Sequence, residues 1–102
     1  MKNALIAGMM LAGLFTAGGA SASLELAQKS ACMACHAVDK KMVGPAYKDI
    51  AAKYKGDKTA EAKLFEKVKK GGSGVWGQIP MPPNATVKDE DIRTLVKWVL
   101  SQ

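Results

Sequence analysis

This sequence predicts an all-α fold of about four short helices and no sheet, and three observations lead there. Apolar residues recur at helical spacing in separate stretches. Clusters of glycine and proline punctuate those stretches. No run shows the strict alternation of apolar and polar residues that marks a half-buried strand.

The elements follow in order. Leu24 to Ala31 read as a short helix with Leu24, Ala27 and Ala31 on one face, small enough for close packing. A polar loop, Asp39-Lys40-Lys41, leads to Met42-Val43-Gly44-Pro45. Pro45 is placed at the first position of a second helix, where its missing N–H costs nothing. Tyr47, Ile50, Ala51 and Tyr54 then make an amphipathic stripe, and Gly56 is expected to end it. Thr59 is expected to cap a third helix running to about Lys70, with Leu64, Phe65 and Val68 as its apolar face. Lys67, Lys69 and Lys70 crowd its last turn, where cations complement the helix dipole.

Gly71-Gly72-Ser73-Gly74 opens a segment read as a loop through Asn84. Its prolines forbid helix, and its Trp76, Ile79 and Met81 imply that it packs onto something. The last helix spans about Lys88 to Leu100, with Ile92, Leu95, Val96 and Val99 buried and three acids in the first turn.

The start of the chain reads differently. Met1-Lys2-Asn3 is a short basic opening, Ala4 to Phe15 is apolar, and Ala20-Ser21-Ala22 has the form of a cleavage site. The apolar run is well short of the roughly 20 residues that span a bilayer. Residues 1–22 are therefore expected to be a signal peptide, removed on export to the periplasm. Residues 23–102 then form one domain with no stable membrane insertion. A domain so small buries little surface and usually needs a staple. With two cysteines in the whole chain, a disulfide framework is excluded.

The staple is offered by Cys32-Met33-Ala34-Cys35-His36, the C-x-x-C-H spacing of covalent c-type haem attachment. Two thiols three residues apart lie on one side of a helical turn and can add to the two vinyl groups on one edge of a porphyrin. The next residue carries its imidazole over the ring face toward iron. His36 is the only histidine in 102 residues. Other readings fit less well. A dithiol redox centre expects a βαβ setting, structural zinc wants four ligands, and a disulfide across two residues constrains little of the unfolded chain. One covalently attached haem c would be both staple and largest apolar object in the core, with the helices wrapped around it.

The full chain carries a formal +6; loss of Lys2 and the two haem propionates would lower this. The lysines are scattered among acids, and no aromatic-interleaved basic run of the kind that stacks nucleic-acid bases is present. Nucleic acid is therefore not an expected partner.

Iron with one histidine needs a second axial ligand or an open site. Met33 lies between the cysteines and cannot reach the far face. Met42, six residues past His36, is expected to pack in the core. Met81 sits between Pro80 and Pro82, whose stiffness could hold its sulfur on iron at little entropic cost.

Taken together, Cys32-Met33-Ala34-Cys35-His36, Met42-Val43-Gly44-Pro45-Ala46-Tyr47, Gly74-Val75-Trp76-Gly77, Ile79-Pro80-Met81-Pro82-Pro83-Asn84 and Trp98-Val99-Leu100-Ser101 resemble the small bacterial class I cytochromes c of the c-551 (c8) type. The likeness spans residues 23–102 in order. It implies His36 and Met81 as axial ligands, and a Pro45 carbonyl that accepts from His36 Nδ1–H. It further implies that Trp76 donates to a propionate, that Lys67 stands near a propionate, and that Asn84 hydrogen-bonds near the Met81 sulfur. Lys88 replaces the serine common in such chains, so the cap of the last helix is open, with Thr86 as a substitute.

The function this implies is a soluble periplasmic one-electron carrier, a monomer shuttling between larger respiratory redox complexes, and not an enzyme. The rival is a haem enzyme or gas-binding protein with an open sixth site. Against it, the chain has no second histidine and no arginine before Arg93.

Overall fold

The structure is a computed structural model that describes residues 22–102. All of the expected signal peptide but Ala22 lies outside the described residues.

Residues 22–29 form α1. Ala27 is buried, as its small side chain allows. Ala31 then turns left-handed at φ 62°, and the cysteines follow on a single 3₁₀ turn, Cys32–Ala34. The polar loop returns to α2, Tyr47–Lys53, whose N-cap is Ala46. Pro45 therefore stands one residue before the cap, not at the first helical position. The helix starts late because its leading donors are already used. Tyr47 N–H donates to the Ala37 carbonyl at 2.9 Å and Lys48 N–H to that of Val38 at 3.0 Å. These bonds satisfy groups that a helix start would otherwise leave unpaired, and they fasten α2 to the segment after His36. Gly56 falls two residues beyond the C-cap, Tyr54.

α3 covers Ala60–Lys70. Thr59 is at its N-cap, but its hydroxyl makes no capping bond. It donates instead to Asp57 Oδ1 at 2.6 Å, which also accepts Thr59 N–H at 2.8 Å, while Lys63 reaches Oδ2 at 3.2 Å. Thr59 has helical backbone, φ −96° and ψ 0°, not the extended backbone from which a cap hydroxyl accepts a first-turn N–H, and its hydroxyl donates to the charged Asp57 acceptor.

α4, Asp89–Leu100, begins at Lys88 without a side-chain cap. Asp89, Glu90 and Asp91 in its first turn complement the dipole instead. It packs against both α2 and α3 and buries Ile92, Leu95 and Val96. Each such side chain contributes about 1.5–3 kcal/mol. Lys69 grips Asp89 at 2.9 and 3.1 Å across the α3–α4 seam, and Arg93 lies over Phe65 at 5.0 Å.

The expectation of no sheet is overturned. Gly72–Gly74 (β1) pairs antiparallel with Gly77–Met81 (β2), with Val75 and Trp76 at the tip. Gly72 opposes Met81 and Gly74 opposes Gly77, with a register shift between the two pairs. Nothing in the sequence pattern signals this hairpin, because it has no buried face. Every residue but Met81 is exposed, so no alternation is imposed. The turn closes because Gly74 and Gly77 take φ near 110°, a region side chains avoid.

The protein's own core is thin. Among the described residues, only Ile92 is both large and fully enclosed. Met42 is 44% exposed, not packed in the core as its type suggests. The polar run before it and the Met42 N–H bond to the Gly44 carbonyl hold it in a surface turn.

Candidate functional site

The larger side chains missing from the core gather around one cavity of about 330 Å³. Cys32, Cys35 and His36 line it from the 3₁₀ turn, Ile50 from α2, Leu64, Lys67 and Val68 from α3, and Leu95, Val96 and Val99 from α4. The whole hairpin, from Gly72 through Met81, lines it as well. Motif and methionine, 45 positions apart in sequence, thus border one apolar space.

His36 is fixed on two sides. Its Nδ1 lies 2.7 Å from the Pro45 carbonyl oxygen. A carbonyl can only accept, so Nδ1 carries the proton and Nε2 keeps its lone pair. The Tyr47 ring stacks on the imidazole at 5.2 Å between centroids, and Trp98 meets Tyr47 edge-on at 5.4 Å. Gly44 completes the seat. A Cβ there would lie 2.5 to 2.9 Å from three ring atoms of His36, so only glycine lets the backbone pass behind the ring.

Cys32 and Cys35 are free thiols, half-buried. Burial pushes the Cys32 thiol above its ordinary pKa, outweighing local hydrogen bonds. Burial likewise raises the Tyr47 phenol, with nearby Cys32 adding to it. A redox-active dithiol needs a depressed pKa, and the burial of Cys32 works the other way. Among the described residues, no three His, Cys, Asp or Glu side chains converge as zinc would require.

Met81 closes β2 and is half-buried. Behind it, Gly71 sits at φ 72°, and a Cβ there would strike the backbone from Met81 to Pro83. Asn84 then anchors the segment to α3: its N–H and its Nδ2 both donate to the Val68 carbonyl, at 3.0 and 3.2 Å. The same Nδ2 approaches the Pro82 carbonyl at 3.4 Å. In this arrangement the Asn84 amide serves the backbone around Met81. Trp76, at the hairpin tip, is 42% exposed. Lys67 lines the cavity, and its Nζ would lie 3.2 Å from a Cβ at Gly72.

The donor set suits a haem. Two thiols are presented on one turn, one imidazole has a single free nitrogen, a thioether borders the same cavity, and the walls between are apolar. Sequence reasoning had pointed to the thiols, the imidazole and Met81. It read Gly71 only as part of a helix stop and Tyr47 only as part of an apolar stripe, and gave Gly44 no role of its own; the parts these residues play depend on what the fold brings against them.

Such a domain, helical and built around a C-x-x-C-H turn with its own cofactor cleft, is of the c-type haem-binding class. The model of the cytochrome c family matches residues 21–102. The chain is 54% identical over 92 residues to a cytochrome c-551 of Allochromatium vinosum, an overlap of 90% of this chain and 98% of the relative. It is 52% identical over 104 residues to a cytochrome c-551 of Pseudomonas aeruginosa, covering 100% and 99%. Its structure resembles the crystal structure of Nitrosomonas europaea cytochrome c552, with a TM-score of 0.74 and 55% identity over 76% of this chain and 96% of that one. The chain belongs to the cytochrome c family, and within it to the class I, c-551 type. It binds one covalently attached haem c and takes part in electron transport. Among the described residues, no helix is long and apolar enough to cross a membrane.

Proposed function

We propose that this protein is a periplasmic one-electron carrier, exported by residues 1–22 and folded as the domain 23–102. It works as a soluble monomer that shuttles between larger respiratory redox complexes, and it is not an enzyme. One observation carries this: His36, with Nε2 its only free ring nitrogen, and Met81 line the same apolar cavity.

The haem, held through Cys32 and Cys35, would supply an iron that changes oxidation state by one electron, with His36 Nε2 and the Met81 sulfur as axial ligands. The chain's own residues set the terms. Pro45 holds the imidazole in one tautomer and orientation through its carbonyl, the outer-sphere role that metal-bound histidines need. Pro80, Pro82 and Pro83 restrict the backbone around Met81, and Asn84 ties that backbone to α3. The sulfur is thereby offered at low entropic cost. Ile50, Leu64, Val68, Leu95 and Val96 keep water from the walls. Trp76 and Lys67, which line the cavity, would donate to the propionates. With protein atoms at both axial positions no coordination site is left for a substrate, which makes the protein a carrier.

Absorption spectra of the purified protein in both oxidation states test this. A pyridine haemochrome of two thioether links and a weak long-wavelength sulfur-to-iron band in the ferric state are expected. A high-spin ferric spectrum without that band would move the protein to the ligand-binding class.

A further inference from the structure

We infer that Lys53 is a positioning residue for Trp76, clasping the tip of the hairpin to α2 across the edge of the haem cleft. Lys53 is the last residue of α2, and its Nζ lies 5.7 Å from the centre of the Trp76 ring and 6.0 Å from that of Tyr54. Trp76 and Tyr54 both line the cleft; Lys53 does not. The ammonium is thus within cation–π range of two rings, one on the hairpin and one beside α2, that both border the cleft.

Two further observations give this contact weight. The hairpin packs mainly on itself, and its packing against α2, α3 and α4 is sparse. Its base is well anchored, by the Gly71 N–H bond to Lys67 and by the Asn84 bonds to Val68. Its tip, at Val75 and Trp76, has no hydrogen bond outside the hairpin among the described residues. Lys53 is also uncommitted elsewhere: among the described residues the ion pairs are Lys63–Asp57, Lys69–Asp89 and Lys70–Glu66. A cation at the C-terminus of α2 gains from the helix dipole too, which favours its staying there. The ring quadrupole attracts a cation and not a neutral chain, so the charge of Lys53 adds a hold on the ring beside the propionate bond proposed for its indole N–H.

Releasing the clasp lets the tip lift and Trp76 leave its place, opening the cleft edge to water. Amide hydrogen exchange of the haem-loaded protein reads this residue by residue. Lys53→Met keeps the apolar stem and removes the charge. It should speed exchange at the paired Gly74 and Gly77 amides that flank the tip roughly two- to fivefold, the equivalent of an exposed cation–π contact, and move the Trp76 indole N–H resonance. Residues of α3 and α4 should be unaffected. Lys53→Arg should restore both readouts, since guanidinium stacks on indole at least as well. In a Trp76→Leu background, Lys53→Met should add nothing further.

Equal acceleration throughout α2 and α4 would make Lys53 a general stabiliser and overturn the assignment. So would failure of Lys53→Arg to restore, or an undiminished effect in the Trp76→Leu background. Exchange reports the clasp whether or not Met81 ligates iron, so a failed axial assignment and a failed clasp give different results.

Discussion

The Pro45 carbonyl lies 2.7 Å from His36 Nδ1, so a backbone group from before α2 decides which imidazole nitrogen keeps its lone pair. No side-chain change at Pro45 removes a carbonyl, and the informative position is its neighbour. Gly44→Ala places a methyl within 2.5 Å of the His36 ring, while the Gly44 N–H bond to the Cys35 carbonyl, 2.7 Å, resists a backbone shift. The ring should tilt and its bond to Pro45 lengthen. Denaturant unfolding should show a loss of about 1–3 kcal/mol, as for overpacking elsewhere. The hyperfine-shifted His36 resonances should move with it. Wild-type values for both would mean that the ring is not confined from this side.

A second strained position sets where the cysteines begin. Ala31 is the one non-glycine residue at positive φ among the described residues, and it turns the chain from α1 into the cysteine turn. An L-residue there costs about 1–2 kcal/mol, against about 0.5–1 kcal/mol for the extra freedom glycine has when unfolded. Ala31→Gly should therefore raise the unfolding free energy measured in urea by up to about 1 kcal/mol. Ala51→Gly, inside α2, should lower it by about 0.5–1 kcal/mol. Destabilisation by both would show that Ala31 carries no strain.

What could be read ahead of the structure follows from how local each signal is. α3 and α4 were legible because Leu64, Phe65 and Val68, and Ile92, Leu95 and Val96, repeat at the helical period within one segment. The cysteines and His36 were legible because their chemistry is written in five consecutive residues. The hairpin was not, because Gly72-Ser73-Gly74 and Gly77 to Met81 have neither strand propensity nor a buried face; glycine conformations pair them. The Asp57–Thr59 turn and the late start of α2 escaped for a related reason. In each, the bond is made to a group outside the helix, Asp57 for the Thr59 hydroxyl and the Ala37 carbonyl for the Tyr47 N–H, and only the folded chain brings that group into reach.

That Asp57 turn has a pH signature. Its carboxyl is lowered to about 2 from an ordinary 3.8, first by the Thr59 hydroxyl and N–H and then by Lys63. A depressed acid stabilises the fold above its unfolded pKa and loses that contribution as pH falls through the folded one. The loss therefore belongs between about pH 4 and pH 2. In Asp57→Asn, melting temperature should fall less steeply across that window, and the two curves should run parallel above it. An unchanged slope would assign the acid lability to other carboxylates.

The thin core bears on folding. With Ile92 the only large side chain fully enclosed among the described residues, and Val43, Val75 and Ile79 left exposed beside the cleft, the apo chain has little apolar area to bury. Cys32→Ala with Cys35→Ala should leave most far-UV helicity unformed. A cooperative, fully helical apoprotein would show that α2, α3 and α4 suffice without the cofactor.

The choice between carrier and ligand-binding protein rests on Met81. With its sulfur on iron, Met81→Ala should open the sixth position. Water should enter in the ferric state and carbon monoxide should bind the ferrous state readily. The reduction potential should fall, since thioether ligation favours Fe(II). Met42→Leu is the matched control: Met42 is at the surface, and its stability change should stay within about 0.5 kcal/mol, with spectrum and potential nearly unchanged. Two further variants act on the backbone alone. Asn84→Ala releases the Val68 tie, and Gly71→Ala pushes on the chain from Met81 to Pro83. Both should weaken the long-wavelength sulfur band and lower its thermal midpoint while leaving the thioether links intact. Their carbon monoxide affinity should fall between wild type and Met81→Ala. If wild type binds carbon monoxide avidly, and Met81→Ala alters neither spectrum nor potential, the sulfur is not on iron and the carrier assignment fails with it.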